Sequence, residues 1–275
     1  MKTILWDSLD TEETQCLIDT LCRNRSGTAL TIGGFDGPHR GHKALFDAVM
    51  GNASLHRHVP GIVTFLRSPG TLKKGDQYPG DVSTLHLRLS RFEELGFEFA
   101  LLIDFSSDFS RISGGVFFDI LVKKVRMRYV AVGPDFRCGH RLDTGMAEIS
   151  AIAHRDGFRL DSIQQIELDG LRISSSAVRK AVQSADFSLA ERFLGHPFLL
   201  DFMALKWLDT GLSLEVPVSD ITQALPGEGL YTVSLILTEG RECAAQLRVS
   251  SQSVVLSPSE GQTLPGENEI LAVRF

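Results

Sequence analysis

Long apolar runs are missing from this 275-residue chain: none approaches the roughly 18 residues that a membrane span requires. Met1 to Asp10 carries one lysine and two acids around short apolar pieces, so neither a secretory signal nor a membrane partner is expected. Cysteine is scarce. The four thiols stand at positions 16, 22, 138 and 243, and none forms a Cys-x-x-Cys pair. That spacing excludes a zinc ribbon and a thioredoxin-like motif, and so low a content suits a reducing cytoplasm. Positive charge is in deficit, with 28 Lys and Arg against 34 Asp and Glu, for a net charge of −6. Nucleic-acid binding by bulk charge is therefore not expected, whereas a local basic pocket for a small phosphorylated ligand is compatible with the count. No internal repeat or low-complexity segment is visible. What is present, 43% hydrophobic and 23% charged residues, is the mix of a soluble globular protein of one large domain or two small ones. Composition leaves the oligomeric state open.

Over the first two thirds, short apolar runs alternate with helical periodicity. Residues 28–34 (TALTIGG), 61–66 (GIVTFL), 97–103 (FEFALLI) and 129–133 (YVAVG) read as strands buried on both faces. Helices are expected over 42–50, 85–95, 146–156 and 175–182, with a further amphipathic helix over 11–23. Ser113 is placed to cap another, which ends near Lys123 and Lys124. The alternation predicts an open α/β sheet. Near residues 194–201 the pattern changes to β-rich segments (198–208, 212–216, 230–237, 242–249, 254–256, 270–275) separated by turn residues, which reads as a small antiparallel β domain or barrel.

Three segments have the residue types for chemistry. The first runs from Thr31 to His42 (TIGGFDGPHRGH). A strand ends in Gly33 and Gly34, and His39 and His42 follow where a helix should start. Glycines admit a phosphate close to the backbone, helix N-terminal amides attract anions, and two histidines three apart share a face on a first helical turn. Imidazoles there can donate to phosphate oxygens or carry positive charge as a leaving group departs. A zinc pair or two solvent-exposed turn histidines are the blander readings. The second segment is Arg172 to Arg179 (RISSSAVR). The hydroxyls of Ser174, Ser175 and Ser176 can cap free amides or bind phosphate, and Arg179 reaches the same face with a guanidinium fork. A plain helix cap with a surface arginine reads the same residues. The third is Gly133 to Gly145 (GPDFRCGHRLDTG), at a strand's carboxyl end, where open α/β sheets bind ligands. Asp135 there can accept from a ring, and Arg137 or Arg141 can meet phosphate; a surface turn is the alternative. Cys138 reads as a packing residue.

In the order in which they stand, GGFDGPHRGH, VTFLRSP (Val63–Pro69), GPDFRCG, ISSSAVR and FLGHPF (Phe193–Phe198) resemble the motifs of the bacterial bifunctional riboflavin kinase/FAD synthetases. The resemblance is closest to their FMN adenylyltransferase module and spans residues 28–198. It implies a Rossmann-like parallel-sheet nucleotidyltransferase domain over residues 1–197 and a smaller antiparallel, barrel-like β domain, a reduced kinase module, over 198–275. It further implies transfer of AMP from ATP to FMN, with Mg²⁺ entering as the ATP complex, and no metal ligands in the chain. By the same resemblance His39, His42, Ser175 and Arg179 are the catalytic residues. Gly33, Gly34, Phe35, Asp36, Gly41, Phe65, Asp135, Phe136, Arg137, Ser174 and Ser176 then line the ligands.

The chain departs from that pattern in three places. Gly34 stands where the family has Asn, and the family's Phe-x-Pro-x-Pro reads Phe65-Leu66-Arg67-Ser68-Pro69. No Gly-Arg-x-x-Gly-Phe-Pro-Thr-Ala-Asn, the kinase segment, occurs between Leu199 and Pro226. FAD synthesis without riboflavin kinase is the expectation that follows. A nucleotidyltransferase with another phosphorylated acceptor and a non-catalytic flavin- or nucleotide-binding protein are the alternatives.

Overall fold

The structure, a computed structural model, describes residues 1–67, 78–105, 109–164, 166–168, 170–261 and 263–275. The chain packs as two compact units. One comprises Met1–Phe35, Gly41–Lys73 and Leu89–Glu167; the other comprises Asp36–Arg40, Lys74–Arg88 and Leu168–Phe275.

The first unit is built on six strands: β1 (Lys2–Leu5), β2 (Thr28–Ile32), β3 (Val59–Phe65), β4 (Phe99–Ile103), β5 (Met127–Val132) and β6 (Arg159–Ser162). They form one parallel sheet in the order β1-β4-β3-β2-β5-β6. β2 and β4 are buried at every residue, as their continuous apolar runs require of strands covered on both faces. The edge strands β1 and β6 are four residues each and mostly not buried, too short for periodicity to announce them. In register, Leu30 of β2 lies between Gly61 of β3 and Val130 of β5. Gly61 has to be glycine, since a Cβ there would stand 2.2 Å from the Phe99 ring.

The helices of this unit fall close to where the sequence places them, except that the second runs on to His56, past the expected end at residue 50. They are α1 (Glu12–Leu21), α2 (Lys43–His56), α3 (Leu85–Glu94), α4 (Gly114–Lys124) and α5 (Met146–Asp156). Thr11 caps α1 through Thr14 N–H at 3.3 Å, and Ser113 caps α4 through Val116 N–H at 3.3 Å. Leu30, Val63, Leu101, Val130, Phe118, Leu121 and Ile149 belong to one buried core. The strand order reverses at β2: β3, β4 and β1 lie to one side, β5 and β6 to the other. The carboxyl ends of β2 and β5 are thus the switch point at which open α/β sheets take ligands.

Among its described residues the second unit holds α6 (Ser175–Gln183), α7 (Phe187–Leu194) and a seven-stranded antiparallel sheet. Helix α7 was not expected from periodicity, although Asp186 caps it through Leu189 N–H at 3.0 Å and Gly195 ends it at φ +83°. Val178, Val182, Ala190 and Phe193 join Val82 and Phe198 in one cluster. The two-stranded pairing β7 (Glu167–Leu168) with β8 (Leu171–Arg172) precedes α6. The large sheet comprises β9 (Leu199–Asp201), β10 (Leu208–Asp209), β11 (Leu214–Pro217), β12 (Gly229–Leu237), β13 (Glu242–Val249), β14 (Ser253–Pro258) and β15 (Ile270–Arg274), in the order β10-β11-β14-β13-β12-β15-β9. Burial alternates along β12 and β13, the mark of a sheet with one packed face. The strand expected over 198–208 is broken in two. Phe202 and Trp207 stack at 4.6 Å, and Trp207 Nε1 donates to Phe202 O at 3.2 Å, closing a turn between β9 and β10. Among the described residues no helix is long and apolar enough to cross a membrane.

Candidate active site

In the first unit, β2 runs out into Gly33, Gly34 and Phe35. Gly33 N–H donates to Val63 O at 3.0 Å, and Thr64 Oγ1 donates to Gly34 O at 3.1 Å, so the loop backbone is tied to β3. A Cβ on Gly34 would meet nothing within 4 Å, so crowding at Cβ does not require glycine here. Phe35 adopts φ +45° and is buried. Its ring lies 5.0 Å from the His42 ring, edge to face, and 5.3 Å from Phe46. The two histidines do not share a first α-helical turn, as the spacing suggested. Arg40–His42 is a short 3₁₀ turn, and α2 begins at Lys43 with His42 as its N-cap. The His42 side chain makes no N-cap hydrogen bond to α2. Gly41 is buried within the turn.

Phe65 ends β3, half-buried, with its ring 5.7 Å from Phe105. Residues Ser68 and Pro69 of the variant segment lie outside the described residues. Beyond β5, Asp135 is exposed and Phe136 is half-buried against the core. Arg137 turns inward on its own loop: Nε and Nη2 donate to Leu142 O at 3.1 and 3.0 Å. Two of its donors thus hold the loop shape that a phosphate role would need to exploit. Burial pushes the Cys138 thiol up to about 12, in keeping with packing rather than reactivity.

The second unit gathers the charged residues. Asp36 is buried and almost fully coordinated. Its Oδ1 accepts from Val82 N–H at 2.7 Å and Ser83 N–H at 3.2 Å, and its Oδ2 from Arg179 Nη2 at 3.2 Å. Its carbonyl accepts from Ser175 Oγ at 2.7 Å. One residue therefore binds the segment before α3 and the first turn of α6. Gly37 follows at φ +62°, its N–H donating to Ser83 Oγ at 3.0 Å. A side chain there would stand 2.3 Å from Val82 Cγ1, so the close approach demands glycine. Burial raises the Asp36 carboxyl to about 6. Asp81 adds to the rise, and Arg179 opposes it.

The three serines divide their work. Ser174 is the N-cap of α6, accepting from Ala177 N–H at 3.2 Å. Ser175 is committed to Asp36, and Ser176 Oγ stands 3.5 Å from Arg179 Nη1. His39 is buried, and that burial pushes its imidazole down to about 4. It is neutral at pH 7, so in the free protein it serves as a hydrogen-bonding group rather than a standing positive charge.

Three residues escaped the sequence reading: Tyr78, Asp81 and Arg88. Arg88 is 2% exposed, and burial lowers its pKa while Asp36 and Asp81 act to raise it. A signal for it existed. The stripe Leu85, Leu89, Phe92 and Leu95 forms the apolar face of the expected helix, and Arg88 sits beside it, three after Leu85 and four before Phe92.

Comparison with known proteins identifies the family. The family model for FAD synthetase matches residues 22–177. The bifunctional riboflavin kinase/FMN adenylyltransferase of Escherichia coli K12 is 32% identical over 217 residues, covering 77% of this chain and 69% of that protein. The protein of the same description from Pseudomonas fluorescens is 31% identical over 76% of this chain and 68% of its own length. That from Haemophilus influenzae is 28% identical over 78% and 71%. A crystal structure described as a macrolide-efflux protein from Streptococcus pneumoniae superposes with a TM-score of 0.76 and 20% identity, over 100% of this chain and 89% of that one, a likeness of fold alone. The chain therefore belongs to the FAD synthetase family and is a nucleotidyltransferase of the FMN adenylyltransferase type.

Proposed function

We propose that this protein makes FAD from FMN and ATP and lacks riboflavin kinase activity. An FMN phosphate oxygen attacks the α-phosphorus of ATP, the bond from that phosphorus to the bridging oxygen breaks, and pyrophosphate leaves with the bond's electron pair. The observation that carries this reading is the FAD synthetase match over residues 22–177, a span that holds the glycine loop, both histidines and the serine turn of α6. Mg²⁺ enters as part of the ATP substrate and offsets its charge. Among the described residues no three His, Cys, Asp or Glu side chains gather as a cage for a metal of the protein's own.

Such a reaction asks the protein for alignment and charge stabilisation rather than covalent chemistry. The residues fit that demand. Gly33 and Gly34 leave the backbone approachable, the N-terminal amides of α2 and α6 attract anions, and Arg179 supplies a fork of donors for phosphate oxygens. His39, neutral, and His42 donate hydrogen bonds to the triphosphate, and their effect grows as charge gathers on the departing pyrophosphate. For Phe35, Asp36, Gly41, Phe65, Asp135, Phe136, Arg137, Ser174 and Ser176 the role proposed is the ligand contact that the family resemblance implies, with Arg137 also bracing its own loop.

The functional division we propose, transferase over residues 1–197 and a kinase-like β module over 198–275, is a division of labour and does not follow the packing units. Support for a silent β module is the missing kinase segment, in whose place the chain runs β9, a turn and β10. The proposed location is the cytoplasm. Incubation with Mg²⁺ and ATP, with FMN in one tube and riboflavin in another, tests all of this by chromatography of the flavins. FAD from FMN and nothing from riboflavin is expected. FMN appearing in the riboflavin tube would overturn the silent-kinase reading, and no FAD in either would shift the acceptor to another phosphorylated molecule.

A further inference from the structure

Arg179 has more donors than its neighbours use. Nη2 donates to Asp36 Oδ2 at 3.2 Å, and Nη1 stands 3.5 Å from Ser176 Oγ. The buried Nε–H has no acceptor among the described residues. A guanidinium offers five donors fixed in one plane, so a phosphate is recognised only if that plane is aimed. Asp36 holds one edge of it. Its face is held by another residue: Arg179 Cζ lies 5.4 Å from the centre of the Tyr78 ring, within the roughly 6 Å reach of a cation–π contact. Tyr78 is fixed in turn, its hydroxyl donating to Asp81 Oδ1 at 2.5 Å. Asp81 is anchored by its backbone, its N–H donating to Thr222 O and its carbonyl accepting from Ala224 N–H, both at 2.8 Å. A guanidinium pinned by edge and face is pre-organised and loses little freedom when a ligand arrives.

We propose that Tyr78 and Asp81 are positioning residues for adenylyl transfer, holding the Arg179 plane so that its remaining donors meet the ATP phosphates. This rests on the reading that Arg179 binds the nucleotide. Asp81 has a second effect, through charge. The groups facing Asp36 are Arg179 of α6, Arg88 of α3, and Asp81, Val82 N–H and Ser83 N–H of the segment before α3. Burial and then Asp81 raise the Asp36 carboxyl to about 6. The ionised carboxylate is the form that grips Arg179, so the grip is complete well above pH 6 and fades below it. Removing the Asp81 charge lowers the Asp36 value and extends the grip to more acidic pH.

The test uses the full chain, with FAD formation measured against ATP concentration and pH, and ATP binding measured by calorimetry. Tyr78→Ala is expected to raise the ATP KM and Kd about tenfold, the scale of a lost partly buried cation–π contact, with the FMN KM unchanged. Tyr78→Phe keeps the ring and stays within about threefold of wild type. Asp81→Asn keeps an acceptor for the Tyr78 hydroxyl and removes the charge, so the acid limb of kcat/KM for ATP moves to lower pH. Wild-type ATP affinity in Tyr78→Ala, or an acid limb that stays in place in Asp81→Asn, would overturn the proposal. If Tyr78→Ala does not fold, a tenfold loss in Tyr78→Phe also refutes the ring's role, and Asp81→Asn decides the rest. A wild-type protein that binds ATP without forming FAD defeats the transferase reading alone, and the calorimetric comparison still decides the positioning role. A wild type that binds no ATP defeats both.

Discussion

The charged residues around α6 and those on the C-terminal sheet share one unit, yet they are used in opposite ways. On the sheet, Glu242 pairs with Arg274 and accepts from Ser234 Oγ at 2.9 Å, while Arg241 meets Glu269 at 3.2 Å with both side chains about half exposed or more. Those charges are spent on each other at the surface. Around α6, Asp36 and Arg88 are buried, Arg179 is nearly so, and Arg179 keeps donors in reserve. Burial of charge costs several kcal/mol per ion unless partners repay it, and a sequence keeps such an arrangement where a ligand gains from it. The contrast separates buried charges with unused donors from exposed charges paired with each other, and the proposed function assigns the first group to binding.

The largest expected effect tests the binding side. Arg179→Ala should lower FAD formation by about 10²- to 10³-fold, the loss usual for a donor to developing charge, and His42→Ala by about 10² or more. Steady-state assay of pyrophosphate release checks both, and a fully active Arg179→Ala would erase the contrast between the two regions.

A middle-sized effect concerns pH and stability. The buried His39 is shifted down to about 4 from 6.5. Below pH 6.5 an unfolded histidine takes up a proton that the folded one refuses, so stability falls as pH drops from about 6.5 to 4. Asp36, shifted up to about 6 from 3.8, acts the other way: the folded form takes the proton first, so stability rises as pH drops from about 6 to 4. In the wild type the two largely offset one another. His39→Asn removes one of them. Relative to wild type, it should gain on the order of 2 kcal/mol between pH 7 and pH 4.5. Urea unfolding of both proteins at the two pH values measures the difference, and parallel stabilities would show that His39 is solvated.

The smallest effect belongs to the sheet. Glu269→Gln breaks an exposed ion pair and should change stability by less than about 1 kcal/mol and FAD formation not at all. A large loss of activity there would give the C-terminal sheet a part in catalysis.

Legibility followed the strength of local signals. β2 to β5 were readable because strands covered on both faces must be apolar throughout. Helix α5 was readable to the residue because its apolar period runs unbroken between two glycines. The edge strands β1 and β6 were not, since four residues with little burial give no period to read. The break between β9 and β10 depended on the stacking of Phe202 on Trp207, a contact that no periodicity records. At the site, the glycine loop, the histidines and the serine turn stood out as motifs. Tyr78 and Asp81 did not, because their roles depend on Arg179 and Asp36, distant in sequence, whereas Arg88 had left a signal beside the apolar stripe of α3.

By itself the sequence determined the α/β class, the β-rich C-terminal third, and the motifs from which phosphate handling is proposed, because apolar period and motif spacing are properties of neighbours along the chain. Only the tertiary structure decided that His39 is buried and neutral, that His42 stands at the N-cap position of α2 after a 3₁₀ turn, that Arg137 braces its own loop, and that Arg179 is held by Asp36 and Tyr78. Burial and charge pairing join residues as far apart as 36 and 179, and those terms set the protonation and aim of a side chain whose identity alone leaves both undecided.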